Sequence, residues 1–464
     1  MQCPPNVNLP IARGLSSVVI ALGIIGSSGA IAAEADPTTT TAHNPEITIE
    51  SLEDAWEQEF EGHFERELGT SVHTPGTISA TLRRAEAQTR RKTVVVYGLP
   101  TAQGLELRLV TIDGLALEVA IPDAHTDAIE ETIYQFRTQL TNAAERQLGS
   151  SRYRQPAQQL YRWIIAPLEN ELAAIDPDIV IFCLGPGLRT VPLAALHNGE
   201  QFLIEKFAIA QLPSFSLFDT RYRSLKNSRV LAMGASEFDA LNALPAVPVE
   251  VDSILGDDTG QDDRVDNWEG EGFLNEYFNE ENLRAQHQTG DFNIIHFATH
   301  AEFLPGKPEE SYIQMWQQQL RLSDVDDFNW HEPAIDLLVL SACTTALGDH
   351  QVELGFAGLT IHAGVHSAVA SLWKVSDRGT LALMNEFYRQ LRQAPSRAEA
   401  LQAAQIALLK RQLLIDGDRI IQQTDADAQG DRTIPLPTEL HISGQDHFDH
   451  PYYWAAFSMI GNPW

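Results

Sequence analysis

Asp336-Leu337-Leu338-Val339-Leu340-Ser341-Ala342-Cys343 is the stretch that decides the fold. Its four consecutive apolar residues do not alternate, so they read as a strand buried on both faces. The run then ends in small and reactive residues. Asn293-Ile294-Ile295-His296-Phe297-Ala298 has the same texture and ends at Thr299-His300-Ala301. So does Asp178-Ile179-Val180-Ile181-Phe182-Cys183-Leu184, which runs into Gly185-Pro186-Gly187. Ahead of that strand, residues 153–175 carry Tyr161, Ile164, Leu168 and Leu172 at helical spacing. Continuous apolar strands alternating with amphipathic helices predict a mostly parallel sheet covered on both faces, an α/β fold.

Outward from these runs, Thr93–Tyr97 and Leu105–Ile112 read as strands and 127–148 as a helix. A second pass of the same texture starts with the strand Val230–Met233. It continues with helices over 273–289, 353–364, 377–393 and 398–414, and strands over 366–373 and 454–460. Residues 256–272 form an Asp/Gly-rich loop without EF-hand order, and 415–447 a polar insertion. The organisation predicted is two βα-rich halves, 75–227 and 228–464, behind a polar linker (34–74) with room for one helix. Cys183 sits inside a strand, where core packing is its expected role.

The chain has 464 residues and 44% hydrophobic content, enough for a sizeable core. Its net charge of −31 argues against nucleic acid as a partner, because phosphate binding needs a basic face. It suits basic partners or, as the plainer reading, a solvated, salt-adapted acidic surface. Three cysteines, without CxxC or HExxH, make neither a disulfide framework nor a zinc site. No metal and no cofactor is expected. Arg13, the apolar run Leu15–Ile25 and Ala30-Ile31-Ala32 follow the order of a secretory signal peptide, placed at 1–33; an uncleaved anchor is the alternative. No later segment has the ~18 apolar residues that span a bilayer. The expectation is an exported chain, in periplasm, thylakoid lumen or medium, without a stable membrane anchor after cleavage.

Two buried strands deliver His300 and Cys343 at their carboxyl ends, where open parallel sheets build sites. An imidazole there can take the thiol proton or stabilise the thiolate, which is the nucleophile. Spacing alone leaves both as ordinary core residues. His296 shares the face of His300 and is expected to pack; Ser341 lies outside any nucleophile-elbow pattern.

The blocks around the pair carry more. Ile295–Ala301 and Leu338–Gly348 resemble the His and Cys blocks of the CHAT family, caspase-like peptidases related to separases, of the type common in cyanobacteria. Gly355–Leu359, Ala370–Asp377 and Tyr452–Phe457 match in order, and Leu188–Leu196 resembles a block of the family's inactive half. The resemblance spans about 75–464. It implies a caspase-like sheet flanked by helices, as an inactive N-terminal half (75–227) followed by a catalytic half (228–464). It implies peptide-bond hydrolysis by Cys343 as nucleophile and His300 as general acid/base. The backbone N–H groups of Ala301 and Cys343 would hold the oxyanion. Asp377 would line the pocket for a basic residue, predicting cleavage after Arg, with Lys second; the other reading is that it caps the helix starting there, and it could do both. Ser371, Leu372 and Trp373 would bind the substrate backbone. A polypeptide substrate follows, with an activating protein partner as an added expectation. The alternative is a non-catalytic or partner-activated interaction module, although no 34-residue repeat is present.

Overall fold

The apolar runs come together in one sheet. The structure, a computed structural model, describes residues 47–68, 73–255, 267–304, 308–345, 350–423 and 431–464, with backbone only for 342–345, 350–352, 356 and 357. The signal-peptide reading of 1–33 therefore lies outside the described residues.

The sheet has thirteen strands. From one edge they run Gln319–Arg321, Tyr312–Gln314, Ile294–Phe303, Leu337–Thr345, Ser367–Ser371, Phe457–Gly461, Ala208–Leu212, Ile179–Leu184, Thr93–Thr101, Gly104–Thr111 and Gly114–Ile121. Val230–Gly234 also pairs with Ile294–Phe303 and carries Gly270–Leu274. Most inner pairs are parallel, as continuous apolar runs demand, whereas the hairpins at both ends of this order are antiparallel. Helices flank the sheet, giving a mixed α/β fold. The last strand joins the halves: it lies antiparallel to Ser367–Ser371 and parallel to Ala208–Leu212. Strands from both expected halves thus share one sheet. The C-terminal Trp464 extends the union by donating from its indole to Thr93 Oγ1 at 3.2 Å.

Several local expectations change. Within the stretch expected as a linker, Ile49–Phe64 is a helix started by a Thr48/Ser51 capping box, and it buries Leu52, Trp56 and Phe60. Its buried Glu53 accepts from Tyr97 Oη at 2.6 Å and Ser214 Oγ at 2.5 Å, which fixes the helix to the body. The helix read over 273–289 is a strand (Gly270–Leu274) followed by a shorter helix, Glu280–Gln288. The polar insertion is a four-stranded antiparallel sheet of three- and four-residue strands, with Leu413, Ile415 and Ile420 buried. A helix unseen in the sequence, Val247–Leu255, packs over the strand Val230–Gly234. Gly234 permits that approach: a Cβ there would meet Val247 Cγ1 at 2.6 Å. Cys183 is fully buried, and desolvation pushes its thiol pKa up, so it is an inert core residue.

Candidate active site

The strands Ile294–Phe303 and Leu337–Thr345 pair in parallel, in simple register from Leu337↔Ile294 to Leu340↔Phe297. A bulge between Leu340 and Ala342 then shifts the register, so that Ala342 faces His300 and Cys343 faces Ala301. The irregularity falls just before His300 and Cys343 on their two strands. Ala301 pairs with Cys343 on one side and Ile313 on the other. The Cys343 side chain lies outside the described part of the structure.

His300 is half-buried. Its Nε2 is 2.8 Å from the Asn242 carbonyl, and the Phe238 ring lies 4.9 Å away. A carbonyl only accepts, so Nε2 carries the proton and Nδ1 is left as the basic nitrogen. Desolvation lowers the His300 pKa; the Asn242 bond raises it in part, and Lys374 lowers it further. A neutral imidazole at neutral pH is what a proton acceptor requires.

Beside His300 lies a narrow pocket bounded by Leu244, Val247, Glu250, Ser341, Lys374 and Asp377. Its cavity volume is ≈ 20 Å³, room for about one water molecule. Ser376, not Asp377, caps the helix Asp377–Leu391: its side chain accepts from the Gly379 N–H at 3.2 Å. The capping alternative for Asp377 is thereby set aside. Desolvation first and the Glu250 charge second raise the Asp377 pKa to about 6, against a backbone bond from Ala246 and the nearby Lys374.

Glu250 was not expected. It sits on the Val247–Leu255 helix at a core-facing position with Val247, Val251 and Ile254, and it is 2% exposed. Its carboxylate lies 2.9 Å from His296 Nε2, and His296 Nδ1 is 3.1 Å from Tyr388 Oη. His296, expected to pack, is buried but also fully hydrogen-bonded. An acid on the apolar stripe of a nine-residue helix was the available signal, and it is legible only once that helix is recognised.

The stretch from Ser371 to Trp373 ends the inner strand next to Leu337–Thr345, with all three side chains buried. Leu372 departs from its expected role, because its N–H already donates to Ala456 O at 2.8 Å. Its carbonyl accepts from Arg137 Nη2 at 2.6 Å. Trp373 anchors through its indole N–H to Tyr452 O at 3.0 Å. Arg137 is 1% exposed; burial lowers its pKa to about 10, offset in part by Glu353. Glu353 accepts from Gly187 N at 2.8 Å and Thr190 Oγ1 at 3.3 Å. Neither Arg137 nor Glu353 carries a local signal, since each lies on a helix whose buried face is set by distant strands.

A family model described as the CHAT domain matches residues 154–462. No curated protein sequence matches the chain. Among solved structures, two crystal structures of the Saccharomyces cerevisiae separase–securin complex, at 2.6 and 3.0 angstrom resolution, are similar: each is 9% identical with a TM-score of 0.46. The alignment covers 83% of this chain but 31% of theirs, so the chain spans about a third of their length. The complex of Porphyromonas gingivalis RgpB pro- and mature domains is 9% identical with a TM-score of 0.39, over 73% of this chain and 76% of that one.

Proposed function

The chain belongs to the CHAT domain family, and from that premise we propose that it is a cysteine endopeptidase cleaving after Arg, with Lys second. The register that sets Ala342 beside His300 and Cys343 beside Ala301, at the carboxyl ends of adjacent parallel strands, carries this reading. Cys343 Sγ loses its proton to His300 Nδ1, the nitrogen that the Asn242 bond leaves open. The thiolate attacks the scissile carbonyl, and the oxyanion rests on the N–H groups of Cys343 and Ala301. His300 then protonates the leaving amine, and water hydrolyses the thioester. Asp377 receives the basic side chain, with Glu250 behind it. Trp373 and Ser371 flank the substrate backbone, and Leu372 contributes through position.

The test is hydrolysis of fluorogenic peptidyl-Arg substrates by the chain lacking residues 1–33. Turnover that survives Cys343→Ala would refute the mechanism.

The narrowness of the pocket favours a second reading, a peptidase opened by a partner. An Arg side chain does not fit the space now open to water. A peptidyl-Arg electrophile would then label Cys343 only after a protein partner is added, whereas a scaffold without catalysis is never labelled. We also propose that residues 1–33 are removed on export; an intact N-terminus on the mature chain would exclude this.

A further inference from the structure

Beside Tyr453 lies an open cleft of ≈ 640 Å³ with mostly polar walls, sharing no lining residue with the His300 pocket. That is the size of a ligand site. In a chain with a net charge of −31 its lining is unusual, because three arginines, Arg146, Arg154 and Arg411, meet two acids, Asp446 and Asp449.

Arg411 is neutralised by Asp449, through bonds of 3.0 and 2.8 Å. Asp446 accepts from the His447 N–H at 2.8 Å. Arg146 and Arg154 have no carboxylate partner among the described residues. The Arg146 guanidinium is 3.7 Å from the centre of the Tyr452 ring, and its Nη1 is buried without a hydrogen-bond partner. Arg154 is exposed at the cleft wall. His450 adds a donor: its Nδ1 accepts from the Tyr452 N–H at 3.1 Å, so Nε2 carries the proton. Burial and the Arg146 charge hold the His450 pKa down at about 4, so this neutral form persists at neutral pH.

We propose that this cleft is a binding site for an oxyanion ligand, a phosphate or carboxylate group held between Arg146 and Arg154. Guanidinium groups match both geometrically, by paired N–H···O bonds. Two sources share that chemistry: a free phosphate compound and the acidic side chains of a peptide. The site is independent of the peptidase reading, and its test needs no turnover.

Isothermal titration of the full chain with pyrophosphate and, separately, with a hexaglutamate peptide reads it directly. Saturable one-site binding is expected, weakened at least tenfold by Arg154→Gln and by Arg146→Gln, and weakened by added salt. Arg154 and Arg152 are both exposed, so their variants should keep the parent thermal midpoint. Arg152 is paired with Glu145 outside the cleft lining, and Arg152→Gln should bind as the parent does. Saturation by one probe alone names the source; saturation by both leaves the shared oxyanion as the ligand. No saturation by either probe, or equal loss in Arg152→Gln, overturns the site.

Discussion

The Glu250 carboxylate stands 2.9 Å from His296 Nε2, both side chains buried, and forms the back of the pocket lined by His300 and Asp377. A buried acid beside a second acid needs a donor of its own, and His296 is that donor. His296→Phe leaves Glu250 without it. Removing one partner of a buried pair costs about 3–5 kcal/mol. Urea unfolding should show that loss, whereas Glu250→Gln, which keeps an oxygen for His296, should lose far less. Equal losses would mean that the carboxylate charge does not set the cost.

Glu250 also acts on its neighbour. Its charge is the second cause of the raised Asp377 pKa, after desolvation. On the proposed reading, an Arg substrate pairs with ionised Asp377, so kcat/KM for such substrates should climb as pH rises through about 6. Glu250→Gln removes the repulsion and should move that limb to lower pH. A substrate without a basic side chain should show only the His300 limb, below the usual histidine range. An unmoved limb would separate Glu250 from the pocket.

The same raised pKa has a stability sign. Asp377 titrates at about 6 folded against 3.8 as a free side chain, so the folded state binds more protons between these values. Stability is then highest below 3.8, falls as pH rises towards 6, and is level above. Asp377→Asn removes the titration. It should match the parent near pH 3.5 and exceed it at pH 7.5 by about 1–2 kcal/mol, allowing for screening of a partly exposed group. Activity should move the other way, with Arg substrates losing about a hundredfold and Leu substrates little. A loss of stability at pH 7.5 would contradict the linkage.

The places of His300 and Cys343 towards the ends of adjacent strands, and of Asp377 at the start of a helix, were legible because each closes a local pattern, an apolar strand running into a reactive residue or an acid opening a helix; the chemistry proposed for them is a separate matter. Glu250 and Arg137 were not, because their partners are 46 and 235 residues away. The sheet's inner strands were readable as unbroken apolar runs. The small sheet over 413–447 was not, since strands of three and four residues leave no period to read. The union of the halves rests on a parallel pairing of the last strand with Ala208–Leu212, which no local spacing encodes.

Gly379 opens a contact that a larger residue would close. A Cβ there would lie 2.7 Å from Tyr453 Cδ1 and 3.2 Å from Ser376 Oγ, the cap of the Asp377 helix. Gly379→Ala should therefore destabilise by about 1–3 kcal/mol through overpacking, despite the better helix propensity of Ala. Chemical denaturation checks this, and a gain in stability would show that Tyr453 yields freely.

Arg137 ties the segment after the Ser367–Ser371 strand to the first half of the chain. Its guanidinium bonds the Leu372 carbonyl at 2.6 Å, and it lies in the field of Glu353, which itself accepts from Gly187 and Thr190. Arg137→Met keeps much of the volume but removes the donor, leaving a buried carbonyl one bond short and an acid without its cation. A hydrogen bond to a charged group is worth about 1.5–3 kcal/mol, so a loss of at least that size is expected. Arg137→Lys should recover only part of it, because an ammonium lacks the planar fork. If Ser371–Trp373 position substrate as proposed, they depend on this contact, and KM for peptide substrates should rise more than kcat falls. If instead kcat collapses with KM unchanged, Arg137 acts on the reacting groups and not on that segment.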